Sequence, residues 1–430
     1  MMTNDQARLI ERLLFLFVFL TCLYEGWSLH GLDPYEYLRE GGDALGYYQW
    51  LPGVIIERDV DVMYWGYWLE DGKWLSLFTF GVALLQLPFF LLGKLTACSF
   101  GYAPNGFTAP FAVWQLIGSA TYAGAGLVLA FRLASRFCDR HAALLSVLVL
   151  FGASNLFYYS VEQPNMSHVY SFFLAGLFAY CSCRLLDEGG TAPPRAVHGV
   201  LFVLSGALLF LVRQLNAVVF LFPLLLALRS SLGIAGFVRS LFQHRAWTVA
   251  AILVALVPWL LQVGYWHYIT GNWLTFTYGH KGESFDFARM VPGLVITSVR
   301  NGWWVYSPIM IPLSLTLLYH AWRNTGAARA ITLILVITWL LYSAWWCWWL
   351  GGSFGMRAFV DLYALLAIPG AWMFRSILNR PVFTRVVAAT VLVLLVRLNA
   401  GLSAEFNWSW SGEDWTWQRL FEHISGLITA

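Results

Sequence analysis

The chain has 430 residues, 59% of them hydrophobic and only 11% charged, with a mean hydropathy of +0.64. Soluble domains carry about 25% charged residues, so this composition excludes a soluble globular protein and marks a polytopic membrane protein. A net charge of +3, with arginines scattered through short loops, gives nucleic-acid binding little support.

In chain order, the start "MMTNDQARLIERLLFLFVFLTCLYEGW" joins basic residues to an apolar run with no small-residue cleavage site, and it reads as an uncleaved first span near 12–28. Further runs of membrane length fall near 75–93, 109–131, 142–160, 168–185, 197–212, 214–228, 247–268, 304–320, 329–347, 358–373 and 385–400.

The run "LSLFTFGVALLQLPFFLLG" (75–93) decides the topology, because every later loop changes side if it crosses. If it does not cross and the N-terminus is cytoplasmic, Arg8, Arg12, Arg132, Arg136, Arg140, Arg184, Arg195, Arg229, Arg239, Arg245, Arg323, Arg329, Arg375, Arg380 and Arg385 all lie inside. That is fifteen of the 26 basic residues, and a crossing would move thirteen of them outside, against the positive-inside rule. The run is therefore expected to be a juxtamembrane or re-entrant helix broken at Pro88. The expected fold is all-α, with about eleven transmembrane helices and juxtamembrane helices in a long first outer loop (28–108). A second outer loop at 269–303 and a Trp-rich outer tail at 401–430 complete that side. Six cysteines without a CxxC or a Cys/His cluster predict neither a disulfide framework nor a zinc site.

The outer side collects the polar residues that are costly in such a chain. The first loop carries Asp33, Glu36, Asp43, Asp59, Asp61 and Lys73. Outer turns add Glu162, Gln163 and His168 from "SVEQPNMSHVYSF", then Arg213, Gln214 and Asn216 from "FLVRQLNAVV". Later come His280, Lys281 and Glu283 from "TYGHKGESFDF", Arg300, and Arg357 with Asp361 from "GGSFGMRAFVD". Arg213 interrupts apolar sequence within reach of the outer interface, where it either snorkels or pairs with a phosphate, whose oxygens match a guanidinium fork. Arg357, beside a Trp cluster, repeats that logic.

Asp33 in "DPYE" reads as a helix N-cap. Asp43 in "GGDALGYYQWLP" has two readings: it caps a helix running from Ala44, or it is a base above an aromatic shelf of Tyr47 and Trp50, one and two turns along on the same face. Tryptophan is also concentrated on this side, mostly as an interfacial belt, with an excess suited to a sugar or lipid site.

This layout resembles the GT-C superfamily of membrane glycosyltransferases, which take sugars from polyprenyl-phosphate carriers and include lipid A aminoarabinose transferases and protein O-mannosyltransferases. "GDALGYYQWLPGVIIERDVDV" resembles the family loop with a catalytic Asp, at Asp43, and "DGKWLSLF" places Lys73 where a substrate-binding lysine is expected. "SVEQPNMSH" is similar to the family's acidic-Pro turn, but Gln163 precedes Pro164 and the acid stands one residue earlier, at Glu162. "TYGHKGESF" is similar to an outer loop that contacts substrate.

The resemblance implies a single polytopic domain over 1–430, with a catalytic module in 1–230 and more variable helices in 231–430. It implies Asp43 as general base and Arg213, Arg357 and Lys73 as donor-phosphate ligands. Tyr47, Tyr48, Glu162, Gln163, His168, His280 and Lys281 would bind substrate. It further implies an inverting transferase at the periplasmic face of the bacterial inner membrane. Its partners would be a polyprenyl-phosphate-linked sugar, a glycan or glycolipid acceptor and membrane lipids, without nucleic acid, and neither cofactor nor metal is expected. Two other readings stay open: a lipid-linked glycan flippase or other transporter, and a non-catalytic partner that binds lipid.

Overall fold

The computed structural model describes residues 4–30, 38, 42–61, 64–187 and 196–429; Asp33, Glu36 and Arg195 lie outside the described residues. Lipid offers no partners for backbone N–H and C=O groups, and a helix satisfies them within one segment. The described chain is accordingly almost all helix. Its first part holds α1 (Asn4–His30), α2 (Asp43–Tyr48), α3 (Trp50–Pro52, continued by a π turn, Gly53–Glu57), α4 (Gly81–Phe100), α5 (Ala109–Ala134), α6 (Arg140–Gly152), α7 (Leu156–Val161), α8 (Ser167–Leu185) and α9 (Ala196–Val212). A 3-10 turn (Gln214–Phe220) leads into α10 (Leu221–Ala227), α11 (Gly233–Leu241) and α12 (Arg245–Thr270). Then come α13 (Pro292–Thr297), α14 (Trp303–Tyr306), α15 (Met310–Trp322), α16 (Gly326–Ser343), α17 (Tyr363–Leu378) after a 3-10 turn (Arg357–Leu362), α18 (Val382–Glu405) and α19 (Trp417–Thr429). A short antiparallel hairpin, β1 (Gly66–Trp68) against β2 (Trp74–Ser76), is the one sheet among the described residues.

Six described helices are long and apolar enough to cross a membrane: α4, α5, α12, α16, α17 with its preceding turn, and α18. The chain is a multi-pass membrane protein. α17 is the central helix, buried from Tyr363 to Ala371, whereas α12 and α18 expose Leu253, Leu260, Leu261, Val386, Val393 and Leu394 on their outer faces. Apolar side chains left bare in this way are the surface that lipid covers.

Neighbouring helices fix the relative sidedness. α1 is antiparallel to α5: Glu11 pairs with Arg132 at one end (2.6 Å), and Gly26 meets Leu116 towards the other. The end of α1 and the start of α5 therefore lie at the same end of the bundle. α4 lies along the early half of α5, with Trp114 Nε1 donating to Thr96 Oγ1 (2.9 Å) and Tyr122 donating to Leu85 O (2.8 Å). It starts where α9 ends, since Thr79 donates to Leu211 O and Gly81 packs on the Leu211–Val212 backbone. One expectation is corrected here: the helix is not broken at Pro88 but runs unbroken from Gly81 to Phe100. Its flanks supply the reason, because Phe89 and Gly93 are clamped against Gly118 and Phe111 of α5. That packing outweighs the hydrogen bond that proline removes.

The arginine-rich loops gather at the far end. Arg136 and Arg184 both bond Asp187, Arg229 donates to Asn324, and Trp372 donates to Phe137 O near Arg375. The opposite end, called the site end below, carries a second apolar core of Tyr48, Trp50, Phe90, Phe107, Phe111 and Tyr265.

Candidate active site

A cavity of about 1230 Å³ opens at the site end, walled by α2, the 162–166 turn, the start of the 213–220 segment, residues 275–285, the end of α16, the 350–357 turn and Trp408. Asp43 stands on its wall. Gly42, at φ 86, takes a left-handed conformation that side chains disfavour, so the chain can turn directly into α2. Asp43 is thus the first helical residue rather than the cap, and its carboxylate makes no capping bond. It pairs instead with Arg357, Nη2 to Oδ2 at 2.6 Å. The cap reading of Asp43 is overturned by that partner.

The residues after Asp43 divide between cavity and core. Tyr47 lines the cavity and packs on Phe78 with ring centres 4.3 Å apart. Tyr48 is wholly buried and donates to Gly106 O, so it is a core strut and not a substrate ligand. Gln49, also buried, accepts from Trp65 N and reaches Trp65 O and Ser76 Oγ, which ties α2 to the hairpin. Trp50 turns away to donate to Phe78 O and meet Tyr265, so the expected shelf is Tyr47 alone. Trp50 does not line the cavity, and its indole N–H is taken by Phe78 O.

Arg213 and Arg357 both reach the cavity. Arg213 is drawn inward rather than snorkelling: Nη2 donates to the Tyr342 hydroxyl (2.7 Å), Nη1 to Ser167 Oγ (3.3 Å), and Nε lies 3.5 Å from Asp361 Oδ2. Asp361 is fully buried and accepts from His168 Nδ1 at 2.7 Å. His168 is likewise buried, against the Tyr159 ring, so it positions Asp361 and Arg213 and has no open face for substrate. Arg357 and Asp361 both belong to the 3-10 turn before α17, which sends the guanidinium to the cavity and the carboxylate into the core beside His168 and Arg213. The two guanidiniums are close enough to repel each other.

Glu162 and Gln163 line another wall with Asn165, Gln214 and Leu215. Burial, helped by the nearby Glu25 carboxylate, raises the Glu162 carboxyl from 4.5 to about 7. Lys281 lines the cavity with its ammonium 3.5 Å from Glu283. Beside them Phe285 and Trp345 form an antiparallel bridge with rings 4.8 Å apart, and Tyr278 meets Trp345 at 5.6 Å. Aromatic faces of this kind receive the apolar faces of sugar rings.

Two further expected ligands lie elsewhere. Lys73 does not line the cavity; its ammonium donates to Tyr268 O (2.6 Å) near the C-terminus of α12, where cations offset the helix dipole. His280 is exposed and also outside the cavity lining. Conversely, Tyr342 and Trp408 belong to the site although their sequence context marks neither. Trp408 crosses the 350–353 turn at Gly352, where a Cβ would run into its ring. Asp361 did carry a signal, as a carboxylate one turn after Arg357 in an apolar run. Among the described residues no group of three or more His, Cys, Asp or Glu side chains is placed to hold a metal ion, and all six cysteines are free.

No protein-family model matches the sequence, and no curated protein does. Three solved structures of the oligosaccharyltransferase of Archaeoglobus fulgidus align with the chain. The apo form aligns with a TM-score of 0.44 at 13% identity, covering 91% of this chain and 55% of that one. The archaeal oligosaccharyltransferase AglB in complex with an inhibitory peptide and a dolichol-phosphate gives 0.48, at 13% identity over 91% and 54%. A complex with Zn and sulfate gives 0.47, at 14% over 89% and 53%. The chain spans about half the length of these proteins.

Proposed function

We propose that the chain is an inverting glycosyltransferase that moves a sugar from a polyprenyl-phosphate carrier to a glycan or lipid-linked acceptor, at the periplasmic face of the bacterial inner membrane. The observation that carries this reading is a carboxylate, Asp43, and two guanidiniums, Arg213 and Arg357, facing one large cavity with an aromatic wall at the end of the bundle away from the arginine-rich loops.

In this reading an acceptor hydroxyl oxygen attacks the anomeric carbon from the side opposite the phosphate. The new carbon–oxygen bond forms as the bond to the phosphate oxygen breaks, the electron pair leaves with the phosphate, and the hydroxyl proton passes to Asp43. Arg213 and Arg357 hold the charge that grows on the phosphate, an electrostatic contribution that is large in a water-poor cavity. Tyr47, Tyr278 and Trp345 bound the space left for sugar rings, and Lys281, Glu162 and Gln163 are its polar contacts. Arginine countercharges suffice for a phosphate leaving group, so the proposal includes no metal. The donor and the orientation rest on the sequence pattern, with the basic loops placed inside.

The test is transfer of labelled sugar from a panel of polyprenyl-phosphate donors by membranes holding wild type or Asp43→Asn at equal expression. The variant is expected to lose about a hundredfold or more of the rate while folding normally. Full activity in Asp43→Asn would move the base elsewhere, with Glu162 next in line. No transfer by the wild type from any donor would reject the transferase reading.

A further inference from the structure

Arg357 is a base-pairing cation in the wrong state for the role just given to it. Its guanidinium is held by Asp43 at 2.6 Å, so the residue meant for the phosphate is engaged by the residue meant for the acceptor proton. The other features of the pair show which partner yields. Arg357 has five N–H donors, and its Nε is buried without a hydrogen-bond partner among the described residues. Its side chain is only 16% exposed, whereas that of Asp43 is 32% exposed and rests on a six-residue helix. Arg213, by contrast, has a carboxylate neighbour that cannot leave, since Asp361 is buried and also held by His168. Of the two carboxylates beside the paired arginines, only Asp43 is free to swing into the open cavity.

Resting on the phosphate reading of the site, we infer that Asp43 is a gate. Its carboxylate occupies the phosphate position on Arg357 while the site is empty, and the incoming carrier phosphate displaces it. Displacement leaves Asp43 unpaired beside the cavity, where it accepts the acceptor proton. The base is thus uncovered only when the donor is already bound, and the two substrates bind in order, donor first. After transfer Asp43 releases that proton to water, and the regenerated carboxylate returns to Arg357 and helps expel the carrier phosphate.

The gate predicts a split between binding and catalysis that a simple base would not give. A phosphate must compete with Asp43 for Arg357, so removal of the carboxylate tightens phosphate binding although it abolishes transfer. The experiment is calorimetric titration of the purified full chain with two probes, farnesyl phosphate and inorganic phosphate, for wild type, Asp43→Asn, Asp43→Ala and Arg357→Gln. Thermal unfolding identifies any variant that fails to fold, and either Asp43 variant alone suffices. Both probes are expected to bind the Asp43 variants about three- to tenfold more tightly than wild type, the range of a partly exposed ion pair. Arg357→Gln should bind about tenfold or more weakly, and adding Asp43→Asn to it should change nothing further. Unchanged or weaker binding in the Asp43 variants, with weakened binding in Arg357→Gln, overturns the gate and leaves the transferase reading standing. Tightening confined to farnesyl phosphate also overturns it, because the competition is for the phosphate itself. Absence of phosphate affinity in every protein, wild type included, overturns both.

Discussion

Glu162 sits in the cavity wall with its carboxyl raised to about 7 by burial and by Glu25. An unfolded chain would bind that proton only below about 4.5, so between the two values the folded state holds the extra proton. Stability therefore falls as pH rises from about 4.5 to about 7 and levels off above. Glu162→Gln removes the titration: its thermal unfolding should vary less across that window, and at pH 8 it should be the more stable protein by about 1–2 kcal/mol once partial solvent screening is allowed for. An unchanged pH profile in the variant would show that Glu162 ionises at no cost. At this scale the sequence was informative where a charge stood alone in apolar surroundings. Asp43, Arg213 and Arg357 were visible because a chain with few charges has no cheap reason to place them there. Tyr48, Lys73, His168 and His280 do not face the cavity as the resemblance implied, because a resemblance in order and topology leaves a side chain's direction open. Tyr48 and Lys73 are consumed by Gly106 O and Tyr268 O, partners 58 and 195 positions away.

The elements around the site are joined by close backbone approaches that need small residues. At Gly81 a Cβ would stand 2.6 Å from the Leu211 carbonyl carbon and from Val212 N, atoms that cannot move aside. Gly81→Ala should cost about 1–3 kcal/mol, read as a lowered unfolding temperature. It should also reduce transfer, because the displaced α9 end carries Arg213. An unaltered unfolding temperature would mean that α4 and α9 part freely. Helix existence was legible throughout, since runs of membrane length leave the backbone little choice. The interruption expected at Pro88 was not, because a proline's cost is local while the contacts of Phe89 and Gly93 with α5 are tertiary. Nor did periodicity foresee that Trp50 is held by Phe78 O and Tyr265 in the second apolar core.

Across the molecule, α1 runs antiparallel to α5 and the arginine-rich loops gather at one end. Placing that end in the cytoplasm gives a labelling prediction. In a background without the six native cysteines, Leu274→Cys at the site end should react with a membrane-impermeant maleimide in intact cells. Trp322→Cys at the far end should react only after lysis; both positions are 77% exposed. The reverse pattern would invert the chain and put the cavity inside. The overall class followed from composition and charge placement alone. The convergence of Arg213, Tyr342, Arg357 and Trp408 did not, since no local pattern records which distant turns meet.

The cavity wall has one more property, which concerns time. Its pieces are spread along the chain from Asp43 through Glu162, Arg213, Lys281 and Arg357 to Trp408, whose ring lies across Gly352. A ribosome delivers them in that order, so the first arginine to emerge has no chamber to face until almost every helix has been inserted. A nascent or prematurely terminated chain therefore has only part of this cavity wall.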